Sequence, residues 1–183
     1  MKKFNNRENK NYKVDGGKIL WESRSVAVAG TILIKKSDEI FVLAGKRGKA
    51  AADNQGKWNL ICGYLDWDES ADEALEREVW EESGLDMDIL KDSLLMDDLK
   101  NPWRVHSCPK TSNRQNVTLH YGCLSKVEDF PKLSIENNEV DGETEEVIWM
   151  NIDDIYNYEW AFDHDKIIKK YLKFCHQMIL KNI

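Results

Sequence analysis

Glu78, Glu81 and Glu82 fall within five residues of each other, directly after Arg77. At about 100° per residue, a helix brings Glu78 and Glu82 to within roughly 40° of one another, so the two carboxylates share a face. That face is the apolar one, because Ala71, Ala74, Leu75 and Val79 define the same stripe. A helix packed on a core carries leucines at such positions. Like charges four residues apart repel, and acids in the last turns oppose the helix macrodipole. A hard divalent cation with oxygen ligands offsets both penalties. An ordinary solvated helix would hold every acid opposite the stripe. Glu73, Glu76 and Arg77 obey that pattern, whereas Glu78 and Glu82 do not.

The element that must hold these carboxylates is a helix from Ala71 to Ser83. Ser70 with Glu73 makes a capping box, Asp72 and Glu73 suit the positive end, and Gly84 suits a left-handed C-cap. Upstream, Ser25–Lys35 and Glu39–Ala44 are apolar, β-branched runs split by Lys36-Ser37-Asp38, which predicts a hairpin. Lys46–Lys57 reads as a basic loop and Trp58–Cys62 as a strand leading to the helix. Ile19–Ser23 reads as a short strand, after a polar, asparagine-rich lead-in over residues 1–16 expected to be mobile. Downstream, a strand is expected within Leu90–Leu99 and an irregular segment over Lys100–Arg114. The alternation of Val117, Leu119, Tyr121 and Cys123 predicts a half-buried strand over Asn116–Ser125. Glu128–Glu145 reads as an acidic loop, Val147–Asn151 as the last strand, and Asp163–Leu180 as a helix with Ile167, Ile168, Tyr171, Leu172, Cys175 and Met178 on its core side.

The whole run from Gly63 to Leu85 resembles the Nudix box, G-x5-E-x7-R-E-U-x-E-E-x-G-U with U aliphatic, at all nine defined positions. The likeness continues in Lys46-Arg47-Gly48 and Gly56–Leu60 before the box, and in Glu143–Asp154 after it. It implies an α/β (α+β) fold, a Nudix-like mixed β-sheet sandwiched between helices, in one domain over residues 17–183. It also implies metal-dependent hydrolysis of a nucleoside diphosphate linked to another moiety, with Mg2+ or Mn2+. Glu78 and Glu82 then match the metal ligands, Glu81 binds directly or through water, and Cys62 offers its backbone carbonyl. Many family members carry Pro-Gly-Gly where this chain has Ile61-Cys62-Gly63. Arg77 and Glu69 correspond to an ion pair that orients the carboxylates, with Gly63 and Gly84 as structural positions. The general base is a box glutamate such as Glu81 or a downstream acid, with Glu143 placed ahead of Glu139, Glu145 and Glu146. Arg47, Lys46, Arg104 and Arg114 are the cations available to substrate phosphates. Trp67, Trp103, Tyr64 and Phe162 are available to stack on a base. The segment with Trp103 and Arg104 is a candidate to close over the group beyond the diphosphate.

Composition sets limits on partners. The 183 residues suit one domain, 42% of them are hydrophobic and 32% charged, and the net charge of −7 argues against extended nucleic acid. A small nucleotide remains compatible, because a metal and a few local cations neutralise a diphosphate. Cys62, Cys108, Cys123 and Cys175 lack zinc or C-x-x-C spacing, so reduced thiols and a cytoplasmic location are expected. The start has no apolar run of the signal-peptide kind, no segment is long enough to span a membrane, and a homodimer is compatible with the chain. ADP-ribose or a related derivative is the expected substrate. Two other classes use the same fold: a nucleotide-sensing module without catalysis, and a diphosphate isomerase. The intact box argues for hydrolysis over both.

Overall fold

The computed structural model describes residues 9–108, 115–137 and 142–181. Its centre is β3 (Val26–Lys36), whose run of small and β-branched residues is buried on both faces. A tight turn returns the chain as β4 (Glu39–Arg47), paired antiparallel to β3. On the other side β3 pairs parallel with β9 (Val117–Val127) over its full length, Val26 opposite Val117 through Lys36 opposite Val127. This parallel pair inside an antiparallel frame makes the sheet mixed. β10 (Thr144–Asn151) lies outside β4, and β7 (Leu94–Asp98) lies outside β9. Three short strands complete it: β5 (Trp58–Asn59) on β4, β6 (Ile61–Tyr64) on β3, and β8 (Arg104–His106) on β9.

Strand alternation sends side chains to two cores. Val28, Ile32, Leu43, Ile61, Tyr121 and Cys123 pack under α1 (Ala71–Ser83), against Ala74, Leu75 and Val79. A short α2 (Asp88–Lys91) adds Leu90 to the same core. The intervening residues Leu33, Val42, Leu60 and Leu124 pack on the other face under α3 (His164–Lys181), against Ile167, Ile168, Tyr171 and Cys175. The sheet is thus held between helices.

Several boundaries differ from those read in the sequence. β4 continues through Lys46 and Arg47, because Glu146 and Thr144 of β10 pair with them. The expected strand Trp58–Cys62 is broken at Leu60 and its second half runs on to Tyr64. At the break, the Leu60 N–H donates to His164 Nδ1 (2.9 Å) and the Leu60 carbonyl accepts from Asn59 Nδ2 (2.7 Å). Side chains have taken over both backbone groups of that residue. The segment expected to be irregular contains β8, which finds its partners on β9. Arg114 and Glu139 lie outside the described residues. The polar lead-in contains β1 (Lys10–Lys13), paired with β2 (Ile19–Glu22) in a separate two-stranded hairpin whose residues are all exposed. The expected division at residue 16 runs through this hairpin.

Candidate active site

α1 begins with the capping box: Ser70 N–H donates to Glu73 Oε2 (2.7 Å), and the Ser70 side chain caps the Glu73 backbone. It ends at Gly84, which is left-handed (φ 64°) and donates its N–H to the Trp80 carbonyl. These local terminators set the helix length, and the length sets which side chains its last turns present. Glu78, Glu81 and Glu82 face a cleft of about 240 Å3 between α1 and β6, together with Asp66, Arg77 and Glu143. Cys62, Gly63 and Tyr64 of β6 form its floor.

Gly63 fits because nothing larger does. A Cβ at that position would lie 1.9 Å from Glu78 Oε1. The carboxylate therefore rests directly on the backbone of β6. Glu143 arrives from across the sequence through a backbone clamp. Gly48 N–H donates to the Glu143 carbonyl (2.7 Å) and Ala50 N–H to the Gly142 carbonyl (3.0 Å). A Cβ on Gly48 would stand 2.2 Å from the Gly142 oxygen, so this close backbone approach also requires glycine.

The electrostatics of the cleft are those of crowded acids. Burial, then the charges of Glu78 and Glu143, push the Glu82 carboxyl well above the ordinary range. Burial pushes Glu78 up to about 7, against the pull of Arg77. Arg77 is the main counter-charge. Its Nε and Nη2 grip Glu69 (3.0 and 2.8 Å), and Nη1 reaches both Glu78 (2.9 Å) and Glu81 (3.0 Å). Nη2 also donates to the Tyr64 carbonyl at 3.1 Å. One guanidinium thereby ties the loop before α1, the floor strand and two carboxylates together. Glu69 accepts from the Asp66 N–H (2.8 Å), which closes the turn entering the helix. Its carboxyl is held low, chiefly by Arg77.

The other sequence candidates are more dispersed. Arg47 is 8% exposed, with its head spent on the Asp53 carbonyl (2.9 Å) and carboxylate (3.4 Å) and its guanidinium 5.3 Å from the Phe162 ring. Its charge still reaches Glu82 and Cys62 from behind the cleft. Lys46 pairs with Glu145 at 3.6 Å. Trp103 and Arg104 do not join the carboxylates. They sit on the α3 side of the sheet, with Trp103 packed on Tyr171 and Phe174 and Arg104 opposite His120. Tyr64 lies at the cleft itself and is exposed. Burial, then Glu82, pushes the Cys62 thiol up to about 12, which leaves it protonated and unreactive. None of the four cysteines is in a disulfide.

The donor set suits a divalent cation: clustered carboxylates, a backbone carbonyl at Cys62, and a buried excess of negative charge that a cation can relieve in place of a proton. Among the described residues, no three His, Cys, Asp or Glu side chains already converge as a ligand set. Arg77 explains this for Glu78 and Glu81, since it engages an oxygen of each. Asp66 was not singled out from the sequence, and Gly48 was read only as part of the basic loop before the box. Asp66 falls on an undefined position of the box, and Gly48 acts only through a contact with residues 142 and 143.

A NUDIX domain family model matches residues 24–171. Solved structures with the same fold include the NUDIX domain of Shewanella oneidensis NrtR complexed with ADP ribose. It is 18% identical, with a TM-score of 0.61, over 83% of this chain and 88% of that one. A bifunctional NMN adenylyltransferase/ADP ribose pyrophosphatase from Francisella tularensis, complexed with AMP and a Mn ion, is 23% identical with a TM-score of 0.60. That match covers 84% of this chain and 42% of the larger protein. A mutT/nudix family protein from Listeria innocua is 21% identical, with a TM-score of 0.60, over 87% of this chain and 99% of that one. Curated proteins give no significant match. The box, the fold and a family model spanning most of the sequence agree, and the chain belongs to the Nudix family of pyrophosphohydrolases.

Proposed function

We propose that this chain hydrolyses the diphosphate linkage of a small nucleoside diphosphate derivative of the ADP-ribose kind, using Mg2+ or Mn2+. The observation that carries this reading is the gathering of Glu78, Glu81, Glu82 and Glu143 in one cleft over the bare backbone of Gly63. Glu78 and Glu82 would hold the cation, with Glu81 and the Cys62 carbonyl completing its surroundings. The cation supplies charge screening at the phosphates and activation of water. Arg77 keeps the carboxylates oriented through Glu69 and the Tyr64 carbonyl. Glu143, delivered by the Gly48 clamp and outside the hydrogen-bond network of Arg77, is the acid best placed to accept a proton from attacking water, with Glu81 as its rival. Water attack at phosphorus then releases a nucleoside monophosphate and a phosphorylated remainder.

The substrate class draws support from the ADP ribose bound in one structural relative and from the AMP and Mn ion in another. The reading includes one catalytic domain over residues 17–183, a cytoplasmic location, no extended nucleic acid partner, and a homodimer for which Ile19, Leu20 and Trp21 of the hairpin offer exposed apolar surface. No described helix is long and apolar enough to cross a membrane. The test is incubation with ADP-ribose and Mg2+ in heavy-oxygen water. AMP and ribose phosphate should appear, with the label on one of the two phosphates, and chelation should stop the reaction. Label in a sugar hydroxyl, or no monophosphate from any small nucleoside diphosphate derivative with either cation, would overturn the assignment.

A further inference from the structure

The α3 side of the sheet holds a second polar site, at the corner where β8 meets β9. Among the described residues, three side-chain nitrogens are buried there without a hydrogen-bond partner: Trp103 Nε1, Arg104 Nη1 and His120 Nδ1. They belong together. Arg104 is the cross-strand partner of His120, and the Trp103 ring lies 6.2 Å from the His120 ring. His120 is only 3% exposed. Indole and guanidinium nitrogens only donate, so this corner wants an acceptor.

The local charge has one sign. His120 feels Arg104, His106 and Lys170, while His106 feels Arg104, Lys170 and Arg24. Arg24 itself holds the carbonyls of Ser107 and Asn116 (2.9 and 2.8 Å), bracing the chain on either side of the corner. The charges here are those of Arg104, Lys170 and Arg24, gathered around two imidazoles that burial keeps neutral. A trapped water would satisfy one or two donors but brings no charge to set against the Arg104 guanidinium.

Strand register links this corner to the cleft. Tyr64, Ala27, Thr118 and His106 form one row across β6, β3, β9 and β8. Tyr64 is exposed at the cleft, and Ala27 and Thr118 are small side chains between the two ends. Three strand spacings separate the ends of the row, about 14 Å, and the parallel row of Arg104, His120, Ala29 and Cys62 joins the corner to the cleft floor over the same span. That span is of the order of one nucleoside unit.

We propose that Arg104, His120 and Trp103 form an anion-binding subsite for a second phosphate of the substrate, carried on the nucleoside away from the scissile diphosphate. This rests on the hydrolase reading above and narrows its substrate to a nucleoside diphosphate derivative with an extra phosphate on the nucleoside ribose. Charge-assisted bonds from Arg104 and the indole N–H would complete donors that nothing else among the described residues satisfies.

Calorimetric titration of the full chain with AMP, adenosine 2′,5′-bisphosphate and inorganic phosphate tests the proposal without needing turnover. The bisphosphate should bind at least tenfold tighter than AMP, and Arg104→Gln should erase that ratio while Arg104→Lys restores part of it. Equal binding of AMP and the bisphosphate, or a ratio that survives Arg104→Gln, overturns the subsite. Inorganic phosphate binding as tightly as the bisphosphate overturns its assignment to substrate, since it marks a free-anion site. Parallel assays of ADP-ribose and its 2′-phosphate separate the two readings. If neither is hydrolysed but the binding ratio holds, the hydrolase reading fails alone. Equal kcat/KM for both, with no binding ratio, removes the subsite alone.

Discussion

The carboxylate of Glu78 lies against the backbone of Gly63, so that a Cβ at residue 63 would fall 1.9 Å from Oε1. Gly63→Ala should therefore move the carboxylate and little else, because the obstructing atoms are the end of a flexible side chain. Turnover should fall at least tenfold and the Mg2+ concentration for half-maximal rate should rise. The unfolding midpoint should shift by no more than a few degrees, about 1 kcal/mol. A variant with wild-type Mg2+ dependence would show that Glu78 does not hold the cation.

Glu143→Gln should lower kcat by about two orders of magnitude, in line with the loss of a general base, while leaving the thermal stabilisation by Mn2+ intact. Gly48→Ala should approach the same defect by another route. Its Cβ would meet the Gly142 oxygen at 2.2 Å, so the clamp must open and Glu143 must retreat. Rate assays beside thermal melts with Mn2+ check both. If Gly48→Ala keeps full kcat, the clamp does not position the base.

Buried groups of two opposite kinds, the carboxyls of Glu78 and Glu82 and the imidazoles of His120 and His164, shape the dependence of stability on pH. Burial raises Glu78 from 4.5 to about 7, and burial lowers His164 and His120 from 6.5 to about 3. The carboxyl binds more protons folded than unfolded, so its stability cost grows as pH climbs from 4.5 to 7 and is constant above. The histidines bind fewer protons folded, so their contribution is complete above 6.5 and lost as pH falls toward 3. Between 4.5 and 6.5 the two slopes oppose. Glu78→Gln removes the Glu78 part of the carboxyl slope and leaves that of Glu82. Without metal, the variant should exceed the wild type by about 1–3 kcal/mol at pH 8 and lose stability more steeply below pH 6.5. Urea unfolding across this range would refute the assignment if the two curves ran parallel.

Trp103→Ala should destabilise the fold by about 2–3 kcal/mol, below the figure for a fully buried tryptophan because this one is half-buried. Its ring centroid lies 5.1 Å from Tyr171 and 5.8 Å from Phe174, so it closes the contact between β8 and α3. Trp103→Phe should recover most of that loss. Chemical denaturation of the two variants is the measurement, and equal loss in both would mean that ring packing is not the source.

Local chemistry was readable in the chain wherever neighbours in sequence are also neighbours in space. Ser70, Glu73 and Gly84 terminate α1 within one turn of themselves, and the offset of Glu78 and Glu82 onto the apolar stripe follows from helix period alone. The central strands were legible for the same reason, since β3 and β9 carry near-continuous apolar runs or strict alternation. The missed features depend on distant partners. β4 is lengthened by β10, the strand before the box breaks where His164 takes the Leu60 N–H, and β8 exists only by pairing with β9. Trp103 read as a lid residue because its segment looked loose, whereas the bend just before β8 sets it against Tyr171 and Phe174 of α3. Arg47 read as a free cation because Asp53, its partner, lies in a loop without periodic pattern.

The hydrogen bond from Leu60 to His164 spans 104 residues, and it shapes the bend that aims β6 and Gly63 at α1. Contacts between such distant parts of a chain are entropically expensive and form late in folding. During synthesis, a nascent chain that has emerged through residue 150 already holds the whole glutamate helix. It still lacks the imidazole that secures the floor beneath those glutamates. Competence for chemistry therefore arrives with the C-terminal helix rather than with the motif, and a product cut short before residue 164 would carry an intact box on an unfinished cleft.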